Sequence, residues 1–224
     1  MKRRSILFLF IGMIIVAGGC KEMDKKFISE GAIEYSAKAI DQSNSMASMA
    51  PTKMTVYFKA NKSCAEMSTG LGLFSTSFIS DPTNKTVTQL VKILNKRFML
   101  VQDELSIDKE NAAYAFKFTP TKEKKVIAGY NCTKVHVIPN DPTILPFDIY
   151  YTDELNIENP NFASPYKEIK GVLMEYQMKK FGLEMRFEAK SIKKEIVDEK
   201  CFQAPKDYKP VSEREMQRIF EDLR

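Results

Sequence analysis

From Gly31 onward the chain follows a two-residue hydrophobic period, and this limits what it can fold into. Ile33, Tyr35, Ala37 and Ala39 alternate with Glu34, Ser36 and Lys38, and Met54, Val56, Phe58 and Ala60 alternate with Thr55, Tyr57 and Lys59. Successive strand side chains point to opposite faces, so each run needs one buried face and one polar face. Further alternating or apolar runs lie at 62–68, 74–79, 85–93, 97–102, 112–119, 131–138, 147–152, 172–178, 183–189 and 194–198. About eleven or twelve strands joined by short turns predict a mainly β fold, a curved antiparallel sheet. Because nearly every strand has one apolar face, the sheet must curl around a filling or be covered.

The clearest hairpin spans 172–189. Val172, Met174, Tyr176 and Met178 share one face of its first strand, and Leu183, Met185, Phe187 and Ala189 share one face of its second; Lys180, Phe181 and Gly182 supply the turn. The opposite faces carry Glu175, Lys179, Glu184, Arg186, Glu188 and Lys190, mixed charges that suit a solvated sheet face with cross-strand pairs. One short amphipathic helix is expected at the C-terminus. Ser212 and Glu215 form a capping box, Val211 and Met216 are placed for a hydrophobic staple, and Met216, Ile219, Phe220 and Leu223 form a helical stripe that can plug or flank the curved sheet. No internal repeat or dividing linker interrupts 30–224, which is read as a single β-rich domain.

The front of the chain is different. Residues 6–17 are uncharged and almost wholly apolar, and they follow Lys2, Arg3 and Arg4. As a helix this run is about 18 Å long, short of the roughly 30 Å hydrocarbon core, so it suits a signal peptide better than a spanning helix. Ala17, Gly18 and Gly19 precede Cys20, a run that resembles the lipobox of bacterial lipoproteins. The resemblance implies a signal peptide at 1–19, acylation of Cys20, and a hydrated tether within 20–29. Glu22 and Asp24 also resemble surface-export signals of some Bacteroidota lipoproteins. Without residues 1–19 the net charge falls from +5 to +2, which removes the main support for nucleic-acid binding.

Residues that could carry catalysis are sparse. His136 stands four residues from Cys132 on one strand, about 13 Å by strand rise, too far for a nucleophile and base pair or a shared metal. No GxSxG, HExxH, P-loop or GxGxxG occurs. Met46, Met49 and Met54 suit an adaptable apolar loop tip better than a copper(I) site. Cys64, Cys132 and Cys201 allow at most one intramolecular disulfide besides Cys20, or three reduced thiols.

The segment 124–134, KKVIAGYNCTK, resembles an element of a largely uncharacterised family of Bacteroidota envelope lipoproteins, a domain of unknown function. Further landmarks agree in order: Pro51 to Met54, Tyr150 to Glu154, and 161–176, NFASPYKEIKGVLMEY. The resemblance covers nearly all of the chain after the tether. It implies the architecture of the LolA and LolB lipoprotein carriers, an unclosed antiparallel barrel wrapped round helices, with an apolar concavity able to hold acyl chains.

The expected protein is therefore lipid-anchored in the bacterial cell envelope, at the outer membrane facing the periplasm or the surface. It is expected to bind a hydrophobic ligand such as an acyl chain or lipid against Met174, Tyr176, Met178, Leu183, Met185 and Phe187. The alternative is a structural or interaction lipoprotein with a filled core. Neither reading calls for catalysis, a cofactor, a metal or a nucleic-acid partner; the membrane is the partner, through acyl chains on Cys20.

Overall fold

A computed structural model describes residues 28–45, 47–69, 72–142, 144–180 and 183–222. The segment 1–19 read as a signal peptide, Cys20, Met46, the turn residues Phe181 and Gly182, and Leu223 of the C-terminal stripe lie outside them. The first half of the chain is a meander of β1 (Glu30–Ala39), β2 (Lys53–Lys59), β3 (Lys62–Thr69), β4 (Phe74–Asp81), β5 (Thr86–Ile93) and β6 (Lys96–Asp103), followed by α1 (Glu104–Ala112). The second half is another meander: β7 (Phe116–Ile127), β8 (Tyr130–Pro139), β9 (Phe147–Thr152), β10 (Val172–Lys180) and β11 (Leu183–Lys193). The tail adds a 3-10 turn (Glu199–Phe202), the short β12 (Lys209–Pro210) and α2 (Glu213–Glu221).

All twelve strands join one open sheet in the order β12-β6-β5-β4-β3-β2-β1-β11-β10-β9-β8-β7. The two meanders meet where β11 pairs antiparallel with β1, Ala37 opposite Phe187, and only β12 runs parallel to its neighbour β6. The fold is thus mainly β, an unclosed antiparallel sheet with a short C-terminal amphipathic helix.

Chain connectivity requires the sheet to curl. Ten strand spacings separate β6 from β7, about 48 Å if the sheet were flat. The segment joining them, nine helical residues and three more, reaches only about 24 Å. Register breaks at Glu34/Tyr35, Pro120/Lys124 and Leu173/Glu175 supply local bends, as extra residues in one strand of a pair do. At the β7–β8 hairpin the loop is two residues, Ala128 and Gly129, both at positive φ (50° and 85°). That is the turn whose twist matches flanking strands, and Gly129 takes the conformation without steric cost.

The register aligns Met54, Met67, Thr76 and Val91 across β2 to β5, and beside them Val56, Ala65, Phe78 and Gln89, on the inner face of the curl. On the outer face Cys64, Ile79 and Leu90 pack with Val197 and Phe202 of the tail. The tail then passes the edge of β6, where Lys209 and Pro210 pair with Phe98 and Met99. Beyond it α2 returns over the inner face, burying Met216 and Phe220 with Val91 and Leu100. The capping box forms as the residues predict: the Ser212 hydroxyl accepts from the Glu215 amide while the Glu215 carboxylate accepts from the Ser212 amide at 2.8 Å.

Two sequence expectations are corrected here. The run 194–198 is not a strand; β11 ends at Lys193, and Val197 instead buries its side chain under the outer face while its amide donates to Glu30 at 2.8 Å. Strand does not begin at 112 either, because α1 extends to Ala112 and β7 starts at Phe116. The helix starts where Asp103 accepts a hydrogen bond from the Ser106 amide, an N-cap pattern. The cysteines Cys64, Cys132 and Cys201 are all free thiols.

Candidate functional site

Curling the sheet leaves a cavity of about 250 Å³ on its inner side, just below the roughly 300–1,000 Å³ of small-molecule pockets. Strands β2 to β4 contribute Met54, Ala65, Met67, Phe74 and Phe78 to its wall. The facing hairpin contributes Tyr176, Met178, Leu183, Met185 and Phe187. Ile107 of α1, Phe220 of α2 and the loop residues Pro160, Asn161, Ala163 and Ser164 complete the enclosure.

Five of the six residues read from the sequence as a ligand-facing set therefore line one cavity. Met174 does not: it is fully buried (0% exposed) in the cluster containing Tyr35, Cys132 and Ala189. Its strand breaks register against β9 next to it, between Leu173 and Glu175, which removes the simple alternation along the hairpin. Cys20 lies outside the described residues.

Aromatic contacts hold the hairpin wall in place. Tyr176 stacks on Phe187 and meets Tyr35 and Tyr166 edge-on, each at 6.1 Å between centroids. The Tyr35 hydroxyl donates to the Leu173 carbonyl at 2.8 Å, and that of Tyr166 donates to the Gln177 carbonyl. Burial pushes the Tyr176 phenol far above its usual value, so this ring adds no charge to the hairpin wall at physiological pH.

The polar groups of the wall are few. Ser63, Ser80 and Thr76 come from the strands, Gln102 from the end of β6, and Glu110 and Asn111 from α1. The Gln102 side chain, 6% exposed, donates to Glu110 at 3.0 Å and to Glu213 at 3.5 Å, which ties the two helices to the sheet. No Lys, Arg or His lines the cavity among the described residues. A second, more polar cavity of about 170 Å³ adjoins the first, sharing Ile107, Pro160 and Asn161, and is lined by Glu104, Asp108, Lys167 and Lys170 among others.

His136 lies far from this arrangement in chemistry. Its Nδ1 is 2.8 Å from an Asp148 oxygen, and Lys134 reaches the other oxygen at 3.0 Å. Burial alone would raise the Asp148 pKa, but His136 and Lys134 outweigh it and hold the carboxyl below its usual range. Among the described residues no three His, Cys, Asp or Glu side chains stand together as a metal site, and no helix is long and apolar enough to cross a membrane.

The cavity walls that the sequence did not point to are those from the distant strands and helices: Met54, Met67, Phe78, Ile107 and Phe220. Alternation marked Met54 as inward-facing, and the helical stripe included Phe220. What brings them opposite the hairpin is pairing between residues some 150 positions apart, as Ala37 with Phe187.

Together these features define a class of protein: a single-sheet β domain rolled around an apolar cavity and closed by short helices. The chain belongs to the family described as N-glycanase peptide, N-terminal domain, which matches residues 34–203. Two solved structures of PNGF-II are similar in fold. One, in space group P21, has a TM-score of 0.55 and 15% identity over 88% of this chain, and the other, in space group C2, has 0.52 and 16% over 87%. This chain spans only 34% and 32% of their lengths. MucB in complex with MucA(peri) matches more loosely, with a TM-score of 0.35 and 10% identity over 84% of this chain and 58% of that one. No curated protein matches.

Proposed function

We propose that this chain is a lipid-anchored cell-envelope protein whose curled sheet binds a hydrophobic molecule, such as an acyl chain, in the inner cavity. The observation that carries the reading is the composition of the wall: Met54, Met67, Met178 and Met185 with Phe74, Phe78 and Phe187, and no cation among the described residues. Methionine is flexible and polarizable, so such a wall adapts to a pliable apolar chain. The anchor in this reading is Cys20, which follows Ala17, Gly18 and Gly19. Its acyl chains hold the protein at the bacterial outer membrane, on the periplasmic side or at the surface, and the membrane is its partner. The reading assigns no catalytic residue, cofactor or nucleic-acid partner.

A second reading rests on the family. Its description names the N-terminal domain of an N-glycanase, and PNGF-II is much longer than the stretch this chain matches. In that reading the domain is an interaction module that holds a partner, and the cavity is a packing feature.

Extraction of the purified protein with organic solvent, followed by mass spectrometry, separates the two. The ligand reading expects a lipid in the extract and saturable binding of the neutral apolar dye Nile red; a clean extract together with no dye binding contradicts it. For the anchor, Cys20→Ala is expected to abolish acyl labelling and membrane retention, and unchanged partitioning would refute lipidation.

A further inference from the structure

Resting on the ligand-binding reading, we infer that the molecule held in the cavity presents a neutral acyl carbonyl, an ester or amide, instead of a free carboxylate. Two observations carry this. The first is a pair of unanswered polar atoms. Thr76, 6% exposed and on the cavity wall, has no hydrogen-bond partner for its hydroxyl among the described residues, and neither does the buried side-chain Nδ2 of Asn111, another wall residue. Buried polar groups are nearly always paired. Both atoms can donate, one from the sheet and one from α1, and a carbonyl oxygen accepts two hydrogen bonds.

The second observation is the charge of the wall. Its ionisable groups include the Glu110 carboxylate and no Lys, Arg or His among the described residues. A fatty-acid carboxylate placed there would be buried without a counter-charge and near a like charge, which is strongly unfavourable. An ester or amide keeps the acceptor and removes the charge. In the adjoining polar cavity Lys167 is already paired with Asp108 at 2.6 Å, and the other lysine there, Lys170, is exposed to solvent and does not line the apolar cavity.

The test is competition against Nile red on the full chain at mildly alkaline pH, with dodecanamide, methyl dodecanoate and ionised dodecanoate as competitors. The two neutral compounds are expected to bind at least about tenfold more tightly than dodecanoate. The readout for the donors is the ratio of dodecanamide affinity to that of the plain hydrocarbon dodecane, added as a fourth competitor, which general loosening of the cavity does not move. Thr76→Val and Asn111→Leu are each expected to lower that ratio by about threefold or more, and Thr76→Ser, which keeps the hydroxyl, to retain it. Dodecanoate binding as tightly as dodecanamide, or an unchanged ratio in both donor-deleted variants, would overturn the inference while leaving an apolar site intact. If neither the dye nor any competitor binds, the ligand-binding reading fails and this inference fails with it.

Discussion

The rings of Tyr176 and Phe187 stack with centroids 5.1 Å apart and planes 24° from parallel. They are directly opposed across the β10–β11 pair, and both line the inner cavity. The stack joins the core of the fold to the wall of the site, since Phe187 is only 4% exposed. Phe187→Ala should therefore destabilise the protein by about 3–5 kcal/mol, in the range of buried aromatic truncations. Urea denaturation measures this, and a loss under about 1 kcal/mol would mean that the ring is not packed as described.

Asn161 sets the loop that roofs the cavity. Its buried amide donates to the carbonyls of Ile169 at 2.7 Å and Gly171 at 2.8 Å. Asn161→Leu leaves both carbonyls without that partner and should cost about 2 kcal/mol, with faster proteolysis within 153–170. Gly171 is held by a different constraint: a Cβ there would lie 2.4 Å from the Thr152 carbonyl oxygen. Gly171→Ala is expected to cost a similar amount, about 1–3 kcal/mol by overpacking, and an unaltered denaturation midpoint would show that β9 and β10 do not approach so closely.

Glu175 gives the fold a pH dependence of definite sign. Its carboxylate is 7% exposed and is paired with Lys125 at 2.7 Å and with Arg186. Burial alone would raise its pKa, but the hydrogen bonds and charges of Lys125 and Arg186 outweigh it and leave the value below the ordinary one. The unfolded chain then takes up this proton at a higher pH than the folded one. The stabilisation is present at neutral pH and is lost as pH falls from the ordinary glutamate value, about 4.3, down through the folded value. Glu175→Gln should cost about 2 kcal/mol at pH 7, and the gap between it and the wild type should narrow in acid. A gap independent of pH would contradict this.

How far the residues themselves announced this architecture varies from element to element. The β10–β11 hairpin was legible because Tyr176, Met178, Met185 and Phe187 alternate strictly on either side of a glycine-containing turn. So was α2, whose cap and stripe are both local. By contrast α1 buries only Ile107, so it presents no amphipathic stripe, and the sequence reading placed no helix there. Met174 was misassigned because a register break is set by the partner strand, β9, and leaves no mark on the alternation of β10. Half of the cavity wall was visible for the same reason that half was not: Tyr176 and Phe187 are neighbours through a hairpin, while Met67 and Phe78 face them only once β11 has paired with β1.

The thiols should differ sharply in reactivity. Burial pushes Cys64 up to about 12 and Cys132 up to about 11, and their side chains are 1% and 0% exposed. Cys201 is partly exposed, and burial raises its pKa less far. Because the thiolate is the reactive form, iodoacetamide at neutral pH should label Cys201 first and reach Cys64 and Cys132 only on unfolding. Peptide mass spectrometry reads the order, and early labelling of Cys64 would show that the 194–208 segment does not cover the outer face.

The cavity itself is tested most directly by placing a charge in its wall. Met178 lies on β10 and lines the site beside Leu183 and Met185. In a fluorescence titration with Nile red, the wild-type chain should bind saturably, and a folded Met178→Glu variant should bind at least about tenfold more weakly, because an apolar ligand would then meet a desolvated carboxylate. Equal, saturable binding by both proteins would place the dye elsewhere and contradict an apolar ligand site inside the curled sheet.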